Sequence, residues 1–240
     1  MKISYQVIGS LMLILAACSK NTDTPVNTEL QNNADKVMAF IQSMGYKSSN
    51  IVDNGDAYIV AGDVRFPKNM QVPDTKIRTE HRWTGSKLSV ANAANIRIKI
   101  DSSMTSMTAE IKIAINQWND SRAPGLHFSL SAGDYDILIK DADLGTGNCG
   151  QATFPSGGAA GNLILVNKTY IASHTQAQRQ RTIMHEMGHT ISLMHTNETE
   201  GLLTNSNLPD ILSLMNGGQC NTGPFILSAG DKRAVAWLYP

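Results

Sequence analysis

One eleven-residue run restricts this chain more than anything else in it: His185-Glu186-Met187-Gly188-His189-Thr190-Ile191-Ser192-Leu193-Met194-His195. Ile183, Met184, Met187 and Ile191 recur at helical spacing, so its first part is expected to be a helix. There His185 and His189 face the same way, one turn apart, where two imidazoles can share one ion. Glu186 is turned about 100° away, given about 3.6 residues per turn. His195 follows His189 by six residues and on a continuous helix would point about 240° further round. If the three rings are to meet, the helix must stop near Ile191 and the chain must reverse, with Ser192 at the reversal. The chain has only six histidines in 240 residues, so this grouping is hard to obtain as incidental histidines of a buried helix.

Three neutral imidazoles with a fourth position left open make a catalytic zinc arrangement rather than a closed structural one. Zinc lowers the pKa of a bound water from about 16 towards about 7. A glutamate beside the ion but not on it suits a general base that later hands its proton to a leaving amine. Composition excludes other classes. Lys+Arg 20 against Asp+Glu 20 leaves no net charge, hence no basic footprint for nucleic acid. A hydrophobic share of 42% against 17% charged does not describe a disordered chain. The longest apolar run, at the N-terminus, is too short to span a bilayer.

The spacing H-E-x-x-H-x5-H, with Ser213-Leu214-Met215-Asn216 downstream, resembles the metzincin zinc peptidases and their Met-turn. His185 to Thr190, together with Phe225 to Asp231, is most similar to the HEIGH-type metallopeptidases of bacterial envelopes, over about residues 95–240. The resemblance implies one catalytic Zn²⁺ held by His185, His189 and His195, with Glu186 as catalytic base and Met215 as an apolar floor. It implies an α+β fold: a twisted, mostly parallel sheet with an antiparallel edge strand, an upper helix and a zinc-binding helix, plus a small N-terminal α/β unit. A protein or peptide substrate would lie extended along the edge strand, which the sequence places near Gly161 to Lys168. The specificity pocket would lie near the Met-turn. Two departures stand out. Ser192 occupies the family's glycine, where a left-handed serine costs about 1–2 kcal/mol. Gly217 stands where some metzincins carry an extra tyrosine ligand. Two alternatives remain open: a zinc peptidase of another clan, with Glu198, Glu200 or Asp210 as an acidic third ligand, or a binding or adhesion lipoprotein with weak or no catalysis.

The rest of the chain reads as follows. Residues 1–17 form a signal peptide, with Lys2 ahead of an apolar stretch from Val7 to Ala17. Leu15-Ala16-Ala17-Cys18 resembles a bacterial lipobox, which makes Cys18 the lipidation site and membrane anchor; an ordinary secretory signal is the alternative. The expected location is the bacterial cell envelope, exported and lipid-anchored, with the protein monomeric. Cys149 and Cys220 are then left as one disulfide pair, which would tie the glycine-rich loop to the Met-turn; two free thiols are the alternative. Residues 18–29 form a tether, 30–90 a pro-like N-terminal unit and linker, and 91–240 the metallopeptidase domain. Helices are expected over Leu30–Met44, Ser106–Asn119, from near Thr175, and from Ser228. Strands are expected over Ala57–Val64, Ile96–Ile100, Leu126–Leu130, Ile137–Ile139 and Leu163–Val166, with Gly145–Gly161 a loop. Val60-Ala61-Gly62-Asp63 resembles the F-x-G-D of astacin-type propeptides without its aromatic. Asp63 is therefore either a propeptide switch on the metal or a solvent-exposed turn aspartate. Asp141-x-Asp143-x-Gly145 resembles a fragment of a calcium loop but lacks the later acid, and reads as a turn, with calcium as the alternative. His81, His127 and His174 are isolated.

Overall fold

The computed structural model of the chain describes residues 28–73, 86–198 and 210–240. The expected signal peptide, Cys18, His81 and Glu200 lie outside the described residues. Eight strands occur among them: β1 (Ile51–Asp53), β2 (Ala57–Val60), β3 (Val64–Pro67), β4 (Ile96–Ile100), β5 (Phe128–Leu130), β6 (Ile137–Asp141), β7 (Gly150–Thr153) and β8 (Leu163–Val166). The helices are α1 (Thr28–Ser43), α2 (Val90–Ala93), α3 (Thr108–Asn119), α4 (Lys168–Ile171), α5 (Gln176–Thr190) and α6 (Ala229–Leu238). None is long and apolar enough to cross a membrane.

All eight strands form one sheet in the order β1-β2-β3-β7-β8-β6-β4-β5. Strands β8, β6, β4 and β5 run parallel, and β7 runs antiparallel to β8. The alternation Ile96-Arg97-Ile98-Lys99-Ile100 puts Ile96 and Ile98 into the core and makes β4. Parallel strands are usually connected by a helical crossover, and α3 supplies the one from β4 to β5. It is joined to α5 by Trp118, whose indole N–H donates to Met184 O at 3.0 Å, and by an ion pair between Arg179 and the buried Glu110 at 2.8 Å.

Three sequence expectations are corrected. The stretch Ala57–Val64 is not one strand: Ala61 (φ 54°) and Gly62 (φ 88°) are left-handed and fold it into the β2–β3 hairpin. The glycine-rich stretch contains β7, which has no apolar alternation because all four of its residues are buried. Leu163–Val166 is not at an edge; β8 is interior, between β7 and β6. The strand that would otherwise end the parallel body is β7, and β3 covers it in parallel pairing, Val64 opposite Ala152 and Arg65 opposite Thr153.

Two apolar cores result. The larger gathers α3, α5, α6 and the parallel strands around Trp118, Phe128, Ile183 and Met215, and already includes Leu88 and Ala93. The smaller packs α1 against the β2–β3 hairpin and recruits Phe154 and Met194 from the larger body, with Phe66 and Phe154 rings 5.0 Å apart. The N-terminal unit is thus bound both by backbone pairing and by apolar burial.

The start of α6 fixes the segment that carries Met215. Ser228 and Asp231 form a reciprocal capping box. The same buried Asp231 carboxylate accepts from Ser213 Oγ at 2.6 Å and Leu214 N at 2.8 Å. Asp231→Ala leaves Leu214 N–H unpaired in the core and removes half of the cap. We expect a loss of about 2–4 kcal/mol, read as a fall in the denaturant midpoint.

Candidate metal centre and active site

Helix α5 starts where Thr175 Oγ1 accepts from Gln178 N, and it is buried without a break from Gln180 to Thr190. It ends as the sequence requires. Leu193 N donates to Gly188 O and Ser192 N to His189 O, a Schellman closure with Ser192 left-handed at φ 79°. The serine meets the conformational demand that a glycine would meet more cheaply. Its hydroxyl donates to Ser86 O at 2.5 Å, an offsetting bond that glycine could not make. Tyr239 holds the same turn by donating to Ile191 O at 2.9 Å.

The reversal brings His195 back onto the helix face that carries the other two rings. His185 Nε2 lies 3.1 Å from both His189 Nε2 and His195 Nε2. On the far side of each ring Nδ1 has its own partner: Leu214 O at 2.9 Å for His185, Leu193 O at 2.8 Å for His189, and Glu198 Oε1 at 2.9 Å for His195. Carbonyl and carboxylate oxygens accept, so each Nδ1 donates and each Nε2 faces the centre, where it offers a lone pair to a metal whenever the ring is neutral. Asp63 adds a carboxylate, with Oδ2 3.0 Å from His195 Nε2 and 3.3 Å from His185 Nε2, and Oδ1 3.6 Å from His189 Nε2. These four residues are the metal-ligand group found among the described residues, with donor atoms all within 4.8 Å of one another.

Three imidazole nitrogens and one carboxylate oxygen match the donor set of a four-coordinate zinc site. Among these groups the charge settles on His195 and Asp63 as an ion pair. Burial depresses His185 to about 3. Burial also opposes charge on His195, but Asp63 and then Glu198 outweigh it and hold the ring up to about 10. Burial would raise Asp63; the charge of His195, with hydrogen bonds from His185 and His189, keeps it well below the usual carboxylate range. Burial, and then Asp63, lifts Glu186 well above that range.

Glu186 sits beside the rings and outside the ligand group. Its Oε1 lies against Gly150 at the start of β7, where a Cβ would come within 2.6 Å of it. Its Oε2 is buried and has no hydrogen-bond partner. Met215 is buried beneath α5 against Gly188, where a Cβ would come within 2.9 Å of Met215 Cε. Cys149 and Cys220 are joined as a disulfide, Cα–Cα 5.8 Å, linking the segment before β7 to the one after Met215.

A family model described as a dual-action HEIGH metallo-peptidase matches residues 60–200, more than half of the chain. The chain belongs to the HEIGH metallopeptidase family. It is accordingly a zinc metallopeptidase, and protein or peptide is its substrate class. No curated protein sequence matches it significantly. Among solved structures it is similar to myroilysin (13% identity, TM-score 0.47, covering 80% of this chain and 95% of that one). It is also similar to high choriolytic enzyme 1, a hatching enzyme zinc-protease from the medaka fish Oryzias latipes (14%, 0.43, 70% and 98%). A third is archaemetzincin from Methanopyrus kandleri (10%, 0.36, 60% and 96%).

In this HEIGH-family chain two of the acidic alternatives for the third ligand, Glu198 and Asp210, are engaged elsewhere. Glu198 meets His195 on its Nδ1 side, and Asp210 accepts from Ser228 Oγ at 2.7 Å. The carboxylates of the suspected calcium loop are taken up by the chain, Asp141 by Lys168 N at 3.1 Å and Asp143 by Gly145 N at 2.9 Å. His127 is exposed, and His174 packs edge-on against Tyr170, away from the centre. Sequence reasoning missed Gly150, one glycine among several in its stretch, and the placement of Glu198 behind His195.

Gly188 decides a small contest. Alanine is the better helix former by about 1 kcal/mol. A methyl group there must displace Met215 in a filled core, an overpacking worth about 1–3 kcal/mol. Gly188→Ala is expected to lower stability on balance, measured by chemical denaturation; a stabilised variant would contradict the packing described.

Proposed function

We propose that this HEIGH metallopeptidase is an exported, lipid-anchored endopeptidase in which His185, His189 and His195 hold the zinc, Glu186 moves the proton, and the N-terminal hairpin keeps the enzyme latent through Asp63. The observation that carries the reading is the convergence of three oriented imidazoles with a buried glutamate carboxylate that has one oxygen free. Bound by these rings, zinc would supply Lewis acidity towards a scissile carbonyl. Glu186 would do the rest. Its free Oε2 accepts a proton from the attacking water and delivers it to the leaving amine, the same carboxyl acting as base and then as acid. Met215, wedged under Gly188, supports the helix that carries both groups.

Substrate would lie along the outer edge of β7. Support comes from the hydrogen bonds that β3 now makes there: Ala152 N donates to Asp63 O at 2.9 Å and Phe154 N to Arg65 O at 2.8 Å. An extended peptide could use the same donors once the hairpin leaves. The hairpin tip puts Asp63 over the rings while its strand takes the edge, so it competes with substrate and with the reacting water together. The lipobox-like Leu15 to Cys18 and the disulfide, a bond of oxidising compartments, support export to the bacterial envelope and anchoring.

Two measurements on residues 19–240 test this. Cleavage of denatured casein by the Asp63→Ala chain should be abolished by a chelator, and adding Glu186→Ala should lower it about 10²–10⁴-fold with one zinc per chain retained by metal analysis. Loss of zinc in Glu186→Ala would make that residue a ligand instead. Asp63→Ala should raise the activity of the intact chain at least about tenfold, since a carboxylate on the ion is removed; unchanged activity would sink the latency.

A further inference from the structure

Beside Glu186 lies a cavity of about 120 Å³ whose wall includes Arg181, Thr182, Asn216, Gln219 and the Cys149–Cys220 disulfide. Arg181 is the unusual member. It sits on α5 one turn before His185 and is only 3% exposed. Its Nη2 donates to two carbonyls of the Met-turn, Asn216 O at 2.8 Å and Leu214 O at 3.3 Å. Its Nε is buried without a partner, and so is Gln219 Oε1. No carboxylate lies within ion-pair distance of Arg181 among the described residues, whereas the comparably buried Arg65 is paired with Asp56 at 3.1 Å. Burial opposes the charge of Arg181, and Glu186, Asp63 and Asp231 offset this only from beyond hydrogen-bond reach, so a carboxylate brought into direct contact would stabilise the guanidinium further.

Asp63 lines this cavity too, together with Ala61 and Gly62 at the hairpin tip. Departure of the hairpin therefore opens the cavity and takes an anion away from it. Glu186 fixes which part of a substrate then enters. Its carboxyl must reach the leaving amine nitrogen, and that nitrogen belongs to the residue just after the scissile bond. The side chain of that residue is the one that falls into the cavity flanking Glu186.

Resting on the peptidase reading above, we infer that this cavity is a subsite for an acidic side chain, so that the enzyme cuts on the N-terminal side of aspartate or glutamate. The carboxylate meets Arg181, and Gln219 can turn its amide to donate as well, since the amide orientation follows whatever partner is present. A neutral amide side chain of the same shape supplies no counter-charge.

The experiment uses residues 19–240 carrying Asp63→Ala, on two fluorogenic peptides that differ only by Glu or Gln immediately after the scissile bond, the bond itself being located by mass spectrometry. The Glu peptide should show kcat/KM about tenfold or more above the Gln peptide. Arg181→Gln should bring the ratio to about one, and Arg181→Lys, which keeps the charge, should retain part of it. Because Arg181 also braces the Met-turn, Gln219→Glu gives a second reading. A negative charge placed in the cavity should turn the ratio in favour of the Gln peptide. Equal rates on both peptides, or a ratio unmoved in Gln219→Glu, would overturn the subsite and leave the peptidase standing. Cleavage of neither peptide, nor of casein, would instead overturn the peptidase reading itself.

Discussion

Each ring at the centre of this molecule is held from behind. Main-chain carbonyls take the Nδ1 protons of His185 and His189 and a carboxylate takes that of His195, so three Nε2 atoms are turned inward, His185 Nε2 lying 3.1 Å from each of the other two. Three neutral rings so placed repel one another unless a cation sits between them, and the surrounding fold holds them in position. Residue Leu214 faces His185 because Asp231, at the start of α6, grips the Leu214 amide. The Schellman turn serves twice: it aims His195 back at the helix, and its Leu193 carbonyl fixes His189. Ligand orientation therefore depends on helix ends and caps as much as on the histidine spacing.

The second constraint comes from β7. It is squeezed between α5, which presses Glu186 onto Gly150, and the hairpin, which pairs along its far edge. Small residues are required on that strand, and small residues carry no strand signature. The hairpin meets it with two adjacent left-handed residues, one of them Ala61, at a cost of about 1–2 kcal/mol. Burial of Phe66 against Phe154 offsets that cost: an aromatic pair of this kind contributes about 0.5–1.5 kcal/mol beyond the area it hides.

These two regions mark where the sequence could be read and where it could not. The helix with His185 and His189, the reversal at Ser192 and the helix start at Ser228 follow from local spacing and turn chemistry, and the Cys149–Cys220 pair from the count of cysteines once Cys18 is set aside for lipid. They are relations between near neighbours, or between the only partners on offer. Strand β7 was invisible because Gly150-Gln151-Ala152-Thr153 has no alternation; its burial is imposed from outside. The break at Ala61 and Gly62 hid inside an apolar run. The meeting of Asp63 with the rings joins positions more than a hundred residues apart, and only a short motif hinted at it. Arg181 carries no mark in the sequence, since nothing local reveals that a charge will be buried.

Strand β3 also bears on how the sheet survives until it is wanted. Uncovered, β7 would offer unpaired amides and carbonyls to any extended chain, including an identical molecule, and bare edges of this kind are where β proteins aggregate. In the latent form proposed above, the pairing that would keep substrate out would also keep sister copies out. On that proposal the N-terminal hairpin would also guard against self-association for as long as it stayed, and a form without it would expose its most adhesive edge at the same time as its active site.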